Sequence, residues 1–185
     1  GNDISEITLS VRNSPFIIRN GFTVPENKTL NIEPGVVLKF IDSWGKYAGI
    51  KVEGILKASG TKDKKIIFTS YLDDDEYAAG DTNNDGDTTS PSPGDWDKIY
   101  FSATSKKSEL NNVIVRYAGS GPTCCGSACS PEMAGIKVEK SPITIRDSVI
   151  SDNKYQGLWL VDSPSPVIEA DFSSGSPTTV IDGIE

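Results

Sequence analysis

The residues best suited to chemistry lie in one acidic segment. No Lys or Arg occurs between residues 66 and 97, and nine acidic residues fall between 73 and 97. The segment contains the spaced run Asp81, Asn83, Asp85, Gly86 and Asp87. In calcium loops, oxygen ligands at positions 1, 3 and 5 meet at one ion, and glycine at position 6 permits the sharp turn. The spacing therefore predicts that this segment binds Ca²⁺.

The calcium loop needs ligands from outside the run. An EF-hand carries Glu at position 12, but Ser92 stands there and no helices flank the segment. The three aspartates at 73–75 or Asp95 can supply the missing oxygens. The predicted metal ligands are Asp73, Asp75, Asp81, Asn83, Asp85, Asp87 and Asp95. Magnesium is disfavoured because it keeps several waters, and the remaining alternative is a solvated acidic loop without a metal.

The acidic segment is predicted to be a structural insertion. It forms a long excursion between Ser70 and Trp96, and a bound cation offsets the entropy lost when such a loop is ordered. The catalytic alternative is a calcium-dependent polysaccharide lyase or epimerase in which Arg116 or Arg146 removes a proton next to a carboxylate. An acid/base pair among Asp147, Asp152 and Asp162 has no support from spacing. We therefore expect no catalytic residues.

The charge of the whole chain follows from that segment. The net charge is −8, yet the rest of the chain carries 18 basic and 17 acidic residues. No basic stripe is present, so we expect no nucleic-acid binding. The chain has no histidine, which excludes His-dependent triads and zinc sites with imidazole ligands. No run approaches eighteen apolar residues, so we expect no membrane insertion.

The composition predicts an all-β protein. Ile and Val outnumber Leu 31 to 8, and 17 Gly and 11 Pro supply turns. The predicted strands are 36–40, 50–52, 55–58, 66–69, 99–101, 113–115, 136–138, 143–145 and 158–161. Alternate residues such as Ile136 and Val138 should point into a core, while Lys137 and Thr144 should face water.

The chain also repeats itself. Residues 135–147 align with 157–169 at a lag of 22, Ile114 falls on Ile136, and 35–37 aligns with 54–56 at a lag of 19. A period near twenty built from short apolar runs is typical of a solenoid, here with about seven to eight coils. We expect one domain over 1–185, with a cap region at 1–22 that lies outside the coil frame from residue 4 to 18. Insertions at 71–95 and 118–134 complete this domain, and the abrupt end suggests a piece of a larger protein.

Three runs carry a family resemblance: LNIEPGVVLKF (30–40), GIKVEGILKASGT (49–61) and IIFTS (66–70). They resemble the opening of right-handed parallel β-helix domains of the pectin-lyase-like superfamily, found in secreted and surface proteins of bacteria and archaea. Residues 81–87 followed by 93–96 are similar to an acidic insertion of some members. The resemblance covers most of 23–168 and implies a right-handed parallel β-helix. It implies no single activity, because lyases, hydrolases, epimerases, adhesins and scaffolds share this fold.

The cysteines point to an oxidising compartment. Cys124, Cys125 and Cys129 lie in a stretch rich in Gly, Ser and Pro, and their spacing lacks the paired pattern of zinc sites. We expect a disulfide from Cys129 to Cys124 or Cys125, with free thiols as the alternative. Together with the resemblance, this favours a secreted or cell-surface location.

The aromatic residues suggest one further kind of site. Trp159 aligns with Lys137 at the 22-residue lag and should face outward, with Tyr155 nearby, so both could stack on sugar rings. Ordinary packing is the alternative for both side chains. The favoured function is a calcium-stabilised, non-catalytic module that acts as scaffold, adhesin or binding platform. The alternatives are a carbohydrate-binding or ancillary domain and a calcium-dependent lyase, with a polysaccharide or another surface protein or domain as partner.

Overall fold

The computed structural model describes residues 5–42, 48–121, 133–164 and 166–169. This part of the chain is all-β, with sixteen strands in three sheets in which every neighbouring pair is parallel. The strands are short and rich in Ile and Val, whose branched side chains pack well on a pleated surface. Among the described residues, no helix has the length and apolar character needed to cross a membrane.

The strands follow one another in repeated turns of three. The first two turns comprise β1 (Glu6–Leu9), β2 (Phe16–Arg19), β3 (Phe22–Val24), β4 (Thr29–Ile32), β5 (Val37–Ile41) and β6 (Ile50–Val52). The third and fourth comprise β7 (Ile55–Ser59), β8 (Ile66–Ser70), β9 (Ile99–Phe101), β10 (Ser108–Asn111), β11 (Val113–Arg116) and β12 (Ala134–Glu139). The fifth comprises β13 (Ile143–Arg146), β14 (Val149–Ser151) and β15 (Gln156–Val161), and β16 (Val167–Glu169) begins a sixth.

Each sheet collects one strand from every turn. Sheet A contains β1, β4, β7, β10, β13 and β16; sheet B contains β2, β5, β8, β11 and β14; sheet C contains β3, β6, β9, β12 and β15. Every strand pairs with its counterpart one turn earlier, an arrangement compatible with a parallel β-helix solenoid.

The turns differ widely in length. Glu6 pairs with Thr29, 23 residues later, whereas Lys57 pairs with Glu109, 52 residues later. The long turn contains the acidic excursion, which connects β8 to β9. The described part of the chain holds five complete turns and the first strand of a sixth, and the count of seven to eight turns for residues 1–185 stays a prediction.

The core is a stack of inward-facing apolar side chains. Ile136 and Val138 are fully buried, as expected. Lys137 points outward between them, but it is only 7% exposed and so does not face water freely. Trp96 is also fully buried and stacks on Phe40, with ring centroids 4.2 Å apart.

All nine predicted strands are present, and so is part of the predicted register. Lys137 pairs with Trp159 at the 22-residue lag, as predicted. Later in the turn the predicted lag of 22 is one residue too short, because Ile145 pairs with Ile168 and not with Val167. Glu139 pairs with Val161 and Thr144 with Val167, so the chain has one more residue between the paired positions after β15 than after β12.

Three other sequence expectations are wrong. Ile114 lies on sheet B and Ile136 on sheet C, so they are not equivalent. The runs 35–37 and 54–56 lead into strands of different sheets. The segment from residue 4 to 18 was expected to lie outside the coil frame, yet β1 and β2 within it pair in register with β4 and β5. The described residues of the predicted cap therefore belong to the first turn.

Candidate functional site

The acidic excursion is anchored to sheet B through Asp73. This carboxylate is buried, and its Oδ2 accepts hydrogen bonds from the Thr69 hydroxyl and from Arg116 Nε at 2.8 Å. Arg116 Nη2 lies 2.7 Å from the same oxygen and 3.4 Å from Asp75 Oδ2. Thr69 and Arg116 both belong to strands of sheet B, so the sheet itself supplies a cation to the acidic segment.

Lys39 is a second cation beneath the excursion. It points outward from β5 and is fully buried by the loop that covers it. Its ammonium donates to the carbonyl oxygens of Asp73 and Gly80, both at 2.6 Å, and to Thr82 Oγ1 at 2.9 Å. All three donors are satisfied. Burial lowers the pKa of Lys39, while the negative charges of Asp73 and Asp74 act in the opposite direction.

Apolar contacts complete the anchorage. Ala78, in a 3₁₀ turn (Glu76–Ala78), packs on Val37 and Ile67 of the outer face of sheet B. At the far end, Trp96 returns the chain to the core and donates its indole N–H to the Arg116 carbonyl oxygen at 2.8 Å. Both ends of the excursion are thus held by the solenoid without a metal.

A cluster of three carboxylates lies in the middle of the excursion. Asp74, Asp81 and Asp85 each offer one oxygen, and these oxygens all lie within 4.8 Å of one another. Burial raises the pKa of Asp74, and the neighbouring charge of Asp81 raises it further. These three carboxylates together therefore favour a positive charge in their midst.

Backbone N–H groups of the loop donate hydrogen bonds to the Asp81 carboxylate. Its carboxylate accepts N–H bonds from Asn84 at 2.6 Å, Gly86 at 2.9 Å and Asp85 at 3.3 Å. The bond from Gly86 is the main cause that lowers the pKa of Asp81. Gly86 has φ = +64°, a backbone conformation that favours glycine, as the calcium-loop pattern requires. Asp81 is thereby kept ionised.

Three oxygens around this cluster have no hydrogen-bond partner although they are buried. They are Asp74 Oδ1, Asn83 Oδ1 and Asp85 Oδ1. The other oxygen of Asp85 is used, since it accepts from Asn83 Nδ2 at 2.8 Å and from Thr89 Oγ1 at 2.5 Å. Unpaired buried oxygens are costly, and oxygen atoms of carboxylates and amides are the ligands that Ca²⁺ prefers. The residues present therefore fit a calcium ion.

The predicted ligand set is divided by the fold. Asp81 and Asp85 lie in the cluster and Asn83 lies beside it, as the spacing indicates. The upstream member is Asp74, because Asp73 and Asp75 are turned toward Arg116. The two remaining predicted residues lie outside the three-carboxylate cluster: Asp87 is exposed, and Asp95 accepts from Ser70 Oγ at 2.7 Å and from Ser92 N at 2.9 Å.

The residues considered for catalysis are dispersed. Arg116 is paired with Asp73, and Arg146 on sheet A is paired with Glu169. Neighbouring acids raise the pKa of Arg116 against the effect of its burial, which opposes a role as a base. The three aspartates occupy successive corners of the fifth turn, after β13, β14 and β15: Asp147, Asp152 and Asp162. They do not form a pair.

The outer face of sheet C carries a row of aligned side chains. The register places in one row Thr23, Lys51, Tyr100, Lys137 and Trp159. The Lys137 ammonium lies 5.1 Å from the ring centre of Tyr100 and 4.9 Å from that of Trp159, so it is held between two aromatic rings. Tyr100 also donates to Glu139 Oε2 at 2.6 Å, which lowers the pKa of Glu139.

A groove runs beside one end of this row. Its volume is about 420 Å³, and Gly21, Gly49, Lys51, Lys98 and Tyr100 are among its lining residues. Gly21 has φ = +66°, and a Cβ there would lie 2.6 Å from the Gly49 carbonyl oxygen. A Cβ at Gly49 would likewise lie 2.6 Å from the Lys98 carbonyl oxygen, so the two glycines let the backbones of successive turns approach closely beside the groove. Tyr100 was not predicted from the sequence, because its turn is lengthened by the acidic excursion.

The other predicted site residues are separate from this row. Tyr155 is 46% exposed and lies at the corner before β15, where Lys154 Nζ approaches its ring to 5.8 Å. The predicted disulfide involves residues outside the described part of the chain: Cys124, Cys125 and Cys129.

Comparison with known proteins gives one partial similarity. No protein-family model matches the chain, and no solved structure does. Protein bark beetle of Drosophila melanogaster is 31% identical over 77 residues, which is 42% of this chain. The chain spans only 2% of the length of that relative.

Proposed function

We propose that the chain is a calcium-stabilised, non-catalytic module of a secreted or cell-surface protein, which serves it as scaffold, adhesin or binding platform. The observation that carries this proposal is the cluster of Asp74, Asp81 and Asp85, with buried oxygens that have no partner. The stacked parallel sheets agree with the resemblance to right-handed parallel β-helices of the pectin-lyase-like superfamily.

Calcium would be held by the distal part of the excursion. Asp74, Asp81 and Asp85 would provide carboxylate oxygens, and the side-chain oxygen of Asn83 would join them. The ion would supply a positive charge that removes the mutual repulsion of these groups. Lys39 and Arg116 already hold Asp73, and Lys39 also donates to Gly80 and Thr82. The metal would therefore add most to the stability of the remaining lobe, around residues 83–89.

The absence of catalysis is supported by what surrounds the candidate residues. A lyase base must reach substrate, but Arg116 lies beneath the excursion, with 16% of its side chain exposed, and binds Asp73. The aspartates after β13, β14 and β15 lie on different corners, so they provide no acid/base pair. Incubation with polyuronates and Ca²⁺ should yield no unsaturated, ultraviolet-absorbing product.

Calorimetric titration tests the metal proposal directly. After chelator is removed by dialysis, Ca²⁺ should bind with saturable heat, and Asp74→Asn and Asp85→Asn should each weaken binding at least tenfold. Asp87→Asn is the matched control, since Asp87 is acidic and exposed in the same loop but lies outside the cluster. No saturable binding, or equal weakening by all three substitutions, would contradict the proposed site.

A second candidate function is carbohydrate binding on sheet C. The aromatic pair Tyr100 and Trp159, with Lys137 between them, adjoins a groove with polar and apolar lining. Aromatic faces stack on the apolar faces of sugar rings, and both Tyr100 and Trp159 are partly exposed.

A glycan array tests this second candidate. Binding of a polysaccharide should be lost in Trp159→Ala and kept in Tyr155→Ala, because Tyr155 lies at a corner away from the row. Binding that survives Trp159→Ala would place the glycan elsewhere, and no binding to any glycan would remove this candidate while leaving the calcium proposal intact.

A further inference from the structure

One exposed asparagine has the sequence context of an oligosaccharide acceptor. Asn27-Lys28-Thr29 is the single N-x-[ST] sequence in the chain, and the middle residue is not proline. Asn27 is exposed and lies in the turn between β3 and β4. Its side chain makes no hydrogen bond to any described residue. The amide is therefore available to a bulky substituent.

The backbone around Asn27 is firmly held. Lys28 N donates to the Pro25 carbonyl oxygen at 3.1 Å, which closes a four-residue turn, and Asn27 has φ = +61°. The next turn packs against this one, because Ile55 N donates to the Lys28 carbonyl oxygen at 2.9 Å. A Cβ at Gly54 would lie 2.3 Å from the carbonyl oxygens of both Pro25 and Lys28. The backbone of this corner thus packs closely against the backbone of the next turn, while the Asn27 side chain is exposed to solvent.

We propose that Asn27 is an N-glycosylation site, an inference that rests on the proposed extracellular location. The amide Nδ2 forms a bond to C1 of an oligosaccharide carried by a lipid pyrophosphate. The lipid pyrophosphate leaves, and the amide gives up one proton. The Thr29 hydroxyl completes the acceptor sequence, and an attached glycan extends into solvent from a rigid corner between sheets C and A.

The inference is tested by secretory expression of the full chain in a eukaryotic host with a cleavable leader. All translocated product, cell-associated and released, is analysed by mass spectrometry before and after treatment with peptide N-glycosidase. Wild type and Thr29→Ser should carry a mass increment that the enzyme removes. Thr29→Ala and Asn27→Gly should lack it, and glycine accepts the left-handed backbone at position 27, so this variant keeps the turn.

Translocated wild type with unmodified Asn27 would overturn the inference. An increment that persists in Thr29→Ala would also overturn it, because the sugar would then lie elsewhere. Melting the enzyme-treated chain with Ca²⁺ and with chelator separates this outcome from the calcium proposal. Translocated wild type that was never glycosylated but still gains stability from Ca²⁺ would refute glycosylation alone.

Discussion

Two nitrogens of Arg116 contact the same carboxylate oxygen of Asp73, Nε at 2.8 Å and Nη2 at 2.7 Å. The ion pair joins β11 of sheet B to the first residues of the acidic excursion, next to the end of β8. The excursion itself contains no basic residue. The positive charges beside Asp73 therefore come from Lys39 on β5 and Arg116 on β11, which are distant in sequence. Lys39 acts on the cluster of Asp74, Asp81 and Asp85 only through its charge, and no ion pair between described residues involves these three carboxylates, so this cluster is the part left for a metal.

Removal of Arg116 should destabilise the protein strongly. Arg116→Met leaves the buried Asp73 carboxylate with the Thr69 hydroxyl as its remaining side-chain partner, and breaking a buried ion pair in this way costs about 3–5 kcal/mol. Asp75→Asn is the control, because Asp75 is 3.4 Å from Arg116 and its side chain is 40% exposed. That substitution should change stability by less than about 1 kcal/mol. Urea unfolding measures both, and similar effects would contradict the assigned anchor.

Lys39 should be equally sensitive. Lys39→Met keeps the length of the side chain but leaves the carbonyl oxygens of Asp73 and Gly80 without this donor, at about 1–3 kcal/mol for each unsatisfied group. Lys57→Met is the matched control on an exposed position of sheet A. It should change stability by about 0.5 kcal/mol or less. A Lys39 variant as stable as the Lys57 variant would show that the loop is held by other contacts.

Asp74→Asn should lower stability only when metal is present. In chelator, the substitution removes a carboxylate whose pKa is raised by burial and by Asp81, so the variant should melt at the same or a higher temperature than wild type. With Ca²⁺ present, the loss of a ligand should make the variant the less stable of the two. Differential scanning calorimetry in both buffers checks this. A lower melting temperature in chelator as well would contradict the role of repulsion.

Tyr100→Phe should alter the response to acid. The hydrogen bond from Tyr100 is the main cause that lowers the pKa of Glu139. A carboxyl group with a depressed folded pKa contributes stability above its unfolded pKa of about 4.3, and this contribution is lost as the pH falls through the folded value. The variant should therefore lose less stability than wild type between pH 7 and pH 3. Equal losses in urea titrations at the two pH values would contradict this coupling.

Much of the fold could be predicted because burial imposes a local pattern on each strand. The alternation around Lys137 identifies both the strand and its inner face. The connections from β12 to β15 are short, so the pairing of Lys137 with Trp159 can be read from one lag. The length of each turn could not be predicted in this way, because the core does not constrain the length of the excursions between strands. For that reason the row partner Tyr100 was missed.

The candidate site was predictable to a similar degree. Asp81 and Asp85 follow from the spacing of a local loop, whose glycine permits the turn. Which upstream aspartate joins them depends on Arg116, which lies far away in sequence and engages Asp73 and Asp75. No local pattern could reveal that contact, and only the stacking of sheet B brings it about.

Thermal unfolding with and without Ca²⁺ tests the central claim most directly. At a free calcium concentration 100 times the dissociation constant, binding to the folded chain adds about 2.7 kcal/mol, which corresponds to a rise in melting temperature of about 5–10 °C for a chain of this size. The rise should disappear on addition of chelator and should be largely absent in Asp85→Asn. An unchanged melting temperature at saturating Ca²⁺ would contradict a calcium-stabilised module.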